Sequence, residues 1–171
     1  MRFSVEHGFP GPPGRVAAIL GDPDFYRDLE LPDLRLLDVR DLPPVASRTL
    51  QRPAPDAQHG LLLRYEFTGT LDPVALRLLG GARLTWTQEV HVRGETGGWI
   101  RFSAEANPRL LHGRADYALG PGEEGTVRRL HGELVVAVPV VGGMAERRIL
   151  TGVLHRLEVE AGALRERLGS A

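Results

Sequence analysis

The chain has 171 residues, 42% of them hydrophobic and 25% charged, with a formal net charge of -1. That length suits one domain with a sizeable core, and the near-neutral balance gives no electrostatic reason to expect a nucleic-acid or anionic-membrane partner. Cysteine is absent and all 21 basic residues are arginine, which excludes disulfides, thiolate metal sites, cysteine nucleophiles, lysine Schiff bases and lysine-dependent phosphate loops.

The first stretch, MRFSVEHGFPGPPG, carries charges and prolines where a secretory signal needs an apolar run. The longest apolar run, Leu134 to Ala145, is broken by Pro139, Gly142 and Gly143 and is too short to span a bilayer. The expectation is a cytoplasmic protein without stable membrane insertion.

In chain order, residues 2–9 alternate, with Phe3, Val5, His7 and Phe9 on one face, as a half-buried strand does. PGPPG then leads into a short helix whose apolar face is Val16, Ala17, Ile19 and Leu20. Gly21 stops it, and Asp22-Pro23 starts a second short helix with Phe25, Tyr26 and Leu29 on its inner side. Residues 34–41 read as a strand, 46–52 as a weak strand between prolines, and 60–69 as a strand with Leu61, Leu63, Tyr65 and Phe67 facing inward. Residues 72–81 read as one or two helical turns closed by glycines.

Residues 83–93 alternate with Leu84, Trp86, Gln88, Val90 and Val92 inward. Residues 99–106 place Ile100, Phe102, Ala104 and Ala106 inward, and 110–119 do the same with Leu111, Ala115, Tyr117 and Leu119. GPGEEG (120–125) feeds a long strand over 126–138. From about Gly143 the apolar period changes from 2 to 3.6. Leu150, Leu154, Leu157, Ala161, Leu164 and Leu168 make one stripe, with Arg and Glu assigned to the opposite side. This predicts an amphipathic helix of roughly 25 residues, about 37 Å long. Pro139 has no N–H for strand pairing, and Gly142-Gly143 permits the sharp turn into the helix.

The fold class expected is therefore α+β: about seven antiparallel strands, two short helices after the first, and a long C-terminal helix. A curved sheet wrapped round that helix leaves space between them. The order resembles the START-like, birch-pollen-allergen-like helix-grip superfamily (SRPBCC), over essentially the whole chain. Within it the sequence is similar to an uncharacterised family of bacterial polyketide-cyclase-like domains. The likeness rests on GDPDFY (21–26), LTWTQEV (84–90), GGWIRF (97–102) and VPVVGGMAE (138–146). It implies a single helix-grip domain over 1–171 that holds a lipid, sterol, polyketide or other hydrophobic molecule under the helix, or cyclises or dehydrates one there. It carries over no catalytic residue and no cofactor.

Several chemical signals are weak. GPGEEG matches G-x-G-x-x-G, but a strand follows where a dinucleotide site needs a helix, and Glu123 and Glu124 would repel a pyrophosphate. Gly142-Gly143 opens a helix that could hold an anion, although a packing turn explains it. His155 and Glu158 have the spacing of two metal ligands but no second cluster, so they read as a solvated pair and no metal site is expected. His59, His91, His112 and His131 fall mostly on outward faces or in turns.

More informative are His7, Tyr65, Gln88 and Tyr117, polar residues sharing parity with apolar neighbours. Each must bond protein, water or a ligand, because burial unpaired costs about 1–3 kcal/mol. The candidate binding set is Tyr65, Phe67, Trp86, Gln88, Phe102 and Tyr117, roofed by Leu150, Leu154 and Leu157. The leading expectation is a non-enzymatic binder or carrier of a hydrophobic small molecule. The alternatives are a cyclase or dehydratase using His7 or Tyr117 for proton transfer, and an interaction module with a filled core and an exposed apolar patch.

Overall fold

The computed structural model describes residues 1–43, 57–70, 83–137 and 142–170. Its elements run β1 (Arg2–Pro10), α1 (Pro13–Leu20), α2 (Pro23–Asp28), β2 (Leu34–Leu42), β3 (Ala57–Phe67), β4 (Thr85–Arg93), β5 (Gly97–Ala104), β6 (Leu111–Gly122), β7 (Gly125–Val136) and α3 (Gly142–Gly169). Seven strands form one sheet in the order β1-β7-β6-β5-β4-β3-β2, every neighbouring pair antiparallel. The first strand lies beside the last, and α1 and α2 carry the chain to the opposite edge. The strand expected at 46–52 and the helical turns expected at 72–81 lie outside the described residues.

Local chemistry accounts for the joints. The Gly21 N–H donates to the Ala17 carbonyl at 3.0 Å and closes α1. One residue on, Asp22 Oδ1 accepts from the Asp24 N–H at 2.9 Å and caps α2. GPGEEG is a hairpin: Gly120 and Gly122 end β6, Glu123-Glu124 turn, and Gly125 opens β7 with φ 133, a conformation that favours glycine.

The core is concentrated at one end. There α1 packs against α3, β4, β6 and β7. Leu157, Ala161, Leu164 and Leu168 of α3 are buried against Phe9, Val16, Leu20 and Phe25. Each fully buried large side chain contributes about 1.5–3 kcal/mol. Ile149, Leu150, Val153 and Leu154, in the first half of α3, are only half-buried. Nothing equivalent to α1 is wedged beneath them among the described residues.

The sheet is also low under that half. Ile100 pairs with Ala115, Ala115 with Gly132, and Gly132 with Phe3. In the neighbouring row Phe102 pairs with Gly113. A Cβ at Gly113 would lie 2.3 Å from the Phe102 ring, and one at Gly132 would lie 2.4 Å from the Phe3 ring. The glycines let both rings lie down on the sheet. Ala106, expected to face inward, is exposed because β5 ends at Ala104.

Candidate functional site

A cavity of about 470 Å³ opens between the sheet and the first half of α3. Its walls are apolar and aromatic: Phe3, Phe67 and Leu84 with Trp86, Ile100 and Phe102. Ala115, Leu130 and Leu157 lie at its buried end, where Gln88 and Glu160 are also buried. Pro32, Asp33, Arg114, Arg148, Gly152 and His155 line it yet are exposed, so they form a rim. The space therefore runs from a charged mouth to an enclosed floor.

Of the expected binding residues, Phe67, Trp86, Gln88, Phe102 and Leu157 line this cavity. Tyr65, Tyr117, Leu150 and Leu154 do not. Tyr65 sits behind Trp86, stacked on it with ring centroids 5.7 Å apart. Tyr117 donates to the His91 carbonyl at 3.3 Å across the sheet. On a helix turning about 100° per residue, Leu150 and Leu154 lie toward Leu157 and Ala161. The cavity follows the other flank, through Ile149, Gly152, Val153 and Arg156. The apolar stripe points at packed core in the second half of α3, and the flank with mixed chemistry, together with Leu157, faces the space.

That flank holds residues the sequence reading assigned to solvent. Arg156 lines the cavity and donates from Nη1 to Gln88 Oε1 at 2.5 Å. Its guanidinium carbon lies 4.4 Å from the centroid of the Tyr65 ring. Arg156, Tyr65 and Trp86 thus form one stack from helix to sheet. Burial pushes the Tyr65 hydroxyl pKa up, and the nearby Arg156 charge partly opposes this.

Deeper in, Arg128 of β7 and Glu160 of α3 form an ion pair at 2.7 Å with side chains 0% and 2% exposed. Arg128 Nη2 also donates to His7 Nδ1 at 3.2 Å, and His7 Nε2 faces Glu158 Oε1 at 3.0 Å. The guanidinium only donates, so Nδ1 must be bare and Nε2 carries the proton given to Glu158. His7 is therefore neutral. Burial and the Arg128 charge hold its pKa below the usual histidine range, against the opposing pull of Glu158. Glu158 and His155 are both exposed, as expected, but Glu158 also bonds the buried His7 and His155 stands on the rim.

His91 lies on the outward face, opposite Gln88, as expected, but it is covered there and only 4% exposed. Its cross-strand partner Trp99 stacks over it at 3.7 Å, and burial lowers its pKa. Among the described residues no group of three or more His, Cys, Asp or Glu could hold a metal ion. No helix among them is long and apolar enough to cross a membrane.

The inward charges left a signal. Arg128 shares parity with Leu130 and Leu134, and Glu160 lies three residues after Leu157 and four before Leu164. Each sits on a buried face by position; only its residue type argued for solvent.

A family model described as "Protein of unknown function (DUF2505)" matches residues 39–168. No curated protein matches the chain. Among solved structures, TTHA0849 from Thermus thermophilus is 16% identical with a TM-score of 0.62, covering 99% of this chain and 98% of that one. Ara h 8.0201 is 10% identical with a TM-score of 0.61, covering 100% and 99%. The di-domain ARO/CYC StfQ from the steffimycin biosynthetic pathway is 15% identical with a TM-score of 0.56. That match covers 98% of this chain and 52% of StfQ, so the chain spans about half of that protein. These likenesses show the fold alone: a START-like, birch-pollen-allergen-like helix grip of the SRPBCC type, as the sequence resemblance implied.

Proposed function

The chain belongs to the family described as "Protein of unknown function (DUF2505)", and on that premise we propose that it binds a hydrophobic small molecule, lipid, sterol or polyketide-like, between the sheet and α3. The observation that carries this reading is the apolar cavity of about 470 Å³ that reaches from an exposed rim to a buried floor. Small-molecule sites are commonly of this size and makeup, apolar walls with a few placed polar groups. The filled core required of a pure interaction module is not what lies under α3.

Proton-transfer chemistry through His7 or Tyr117 has less support. Both ring nitrogens of His7 are engaged, and the Tyr117 hydroxyl donates to a backbone carbonyl. Neither side chain lines the cavity.

The test is displacement of an environment-sensitive dye by fatty acids, sterols and polycyclic aromatics, on wild type and on Val153→Trp. Val153 lines the cavity from α3 and is half-buried, so an indole there fills the space from the helix side. Binding by at least one class, weakened tenfold or more in folded Val153→Trp, is the expected result. Failure of all three classes, or equal affinity in the filled variant, would refute the reading.

A further inference from the structure

We propose that the ligand carries one anionic head, a carboxylate, received by the guanidinium of Arg156. This rests on the binding reading above and names the chemistry of the molecule bound.

Arg156 is engaged at one corner only. Nη1 donates to Gln88, while Nε and Nη2 are buried and have no hydrogen-bond partner. Nε and Nη2 are the two donors of one guanidinium edge, the parallel fork that matches a carboxylate bidentately. Both donors of that edge are therefore left unsatisfied, whereas nearly all such groups in folded proteins are paired.

The charge balance points the same way. Glu160 is the buried carboxylate at this cavity, and Arg128 already holds it at 2.7 Å. Arg156 makes no ion pair with a described carboxylate. Two guanidinium cations therefore face one buried carboxylate, leaving one positive charge for the occupant to neutralise. A cation whose donor edge is shielded from water without a counter-ion is costly, and a monoanionic ligand removes that cost. The remaining walls are apolar, and about 470 Å³ holds ~15 non-hydrogen atoms on the scale of a water's ~30 Å³ share of volume. The occupant is thus a medium-length apolar monocarboxylic acid, with its tail along Phe102 and Ile100.

The experiment titrates decanoic acid, 1-decanol and methyl decanoate, near pH 8, into wild type, Arg156→Met and Arg156→Lys. Wild type should favour the acid over both neutral compounds by on the order of tenfold or more, as a charge-assisted hydrogen bond allows. Arg156→Met should lose that preference yet keep its affinity for decanol. Arg156→Lys should keep part of the preference, having charge without the fork. Equal binding of acid and alcohol by wild type, or an undiminished acid preference in Arg156→Met, would overturn the head-group assignment while leaving the binding reading intact. Binding of none of the three to any variant would likewise overturn the assignment, and the binding reading would then stand or fall on dye displacement by sterols and polycyclic aromatics.

Discussion

Arg128 and Glu160 bond across the interior at 2.7 Å, one on the last strand and one on the terminal helix, both shielded from water. The pair fixes how α3 is rotated and where it sits along the sheet. One step of the helix would carry the carboxylate away and leave two buried charges bare. Removing either partner alone should therefore cost about 3–5 kcal/mol, whereas replacing both with apolar groups costs much less. Urea unfolding of Glu160→Leu, Arg128→Met and the double variant measures this. We expect each single variant to be strongly destabilised and the double variant to recover much of the loss. Strictly additive losses would show that the pair does not act as a unit.

Stability should rise with pH through the range below about 6.5, the unperturbed histidine value. His7 and His91 are both held below that value, chiefly by burial. Over the window between the folded and unfolded pKa values the unfolded chain binds more protons, so its stability relative to the fold grows as pH falls. The contribution is complete above about 6.5 and is lost below it. His7→Asn, which retains an acceptor for Arg128, should flatten the slope without abolishing it, since His91 remains. Chemical denaturation at a series of pH values reads the slope, and an unchanged slope in His7→Asn counts against this role.

Asp22 should matter through both carboxylate oxygens. One caps α2, and the other accepts from Arg167 Nη2 of α3 at 2.8 Å. Asp22→Asn keeps the cap and loses the charge on a partly exposed pair, so thermal melts should show a small loss, up to about 1 kcal/mol. Asp22→Ala loses the cap as well and should cost about 0.5–2 kcal/mol more. Equal melting of the two variants would argue that the cap contributes nothing.

Gly98 and Gly162 should respond oppositely to alanine. A Cβ at Gly98 would lie 1.9 Å from the His91 carbonyl oxygen and 2.6 Å from Tyr117 Oη, backbone and a bonded hydroxyl that have little room to move. Gly98→Ala should therefore destabilise by about 1–3 kcal/mol. At Gly162, within α3, a Cβ meets nothing within 4 Å, and alanine there should stabilise by about 0.5–1 kcal/mol through helix propensity. The two midpoints measured side by side check both signs.

Much of the fold was legible because its local signals agree with one another. Period-two alternation marks β1, β4, β5 and β6, Asp22-Pro23 and Gly21 mark the joint between the short helices, and the leucine stripe marks α3. The aromatic wall was legible for the same reason, since Phe67, Trp86 and Phe102 follow strand parity into the cavity. The roof was not. A leucine stripe shows which helix face is most apolar, and from Leu157 onward that face packs against Phe9 and α1, while the cavity follows the flank of Ile149, Gly152, Val153 and Arg156. Arg128, Arg156 and Glu160 escaped notice because charge alone favours solvent, and only a partner makes burial tolerable.

By itself the sequence determined the order of elements, the face each strand buries and the length of the helix, because these depend on residues a few positions apart. Only the tertiary structure decided which buried charges meet, which tyrosines stand behind the wall instead of on it, and where space remains. Those outcomes depend on register between strands and on the rotation of α3. Both are set by contacts between residues as far apart as His7 and Glu158, which no local pattern encodes.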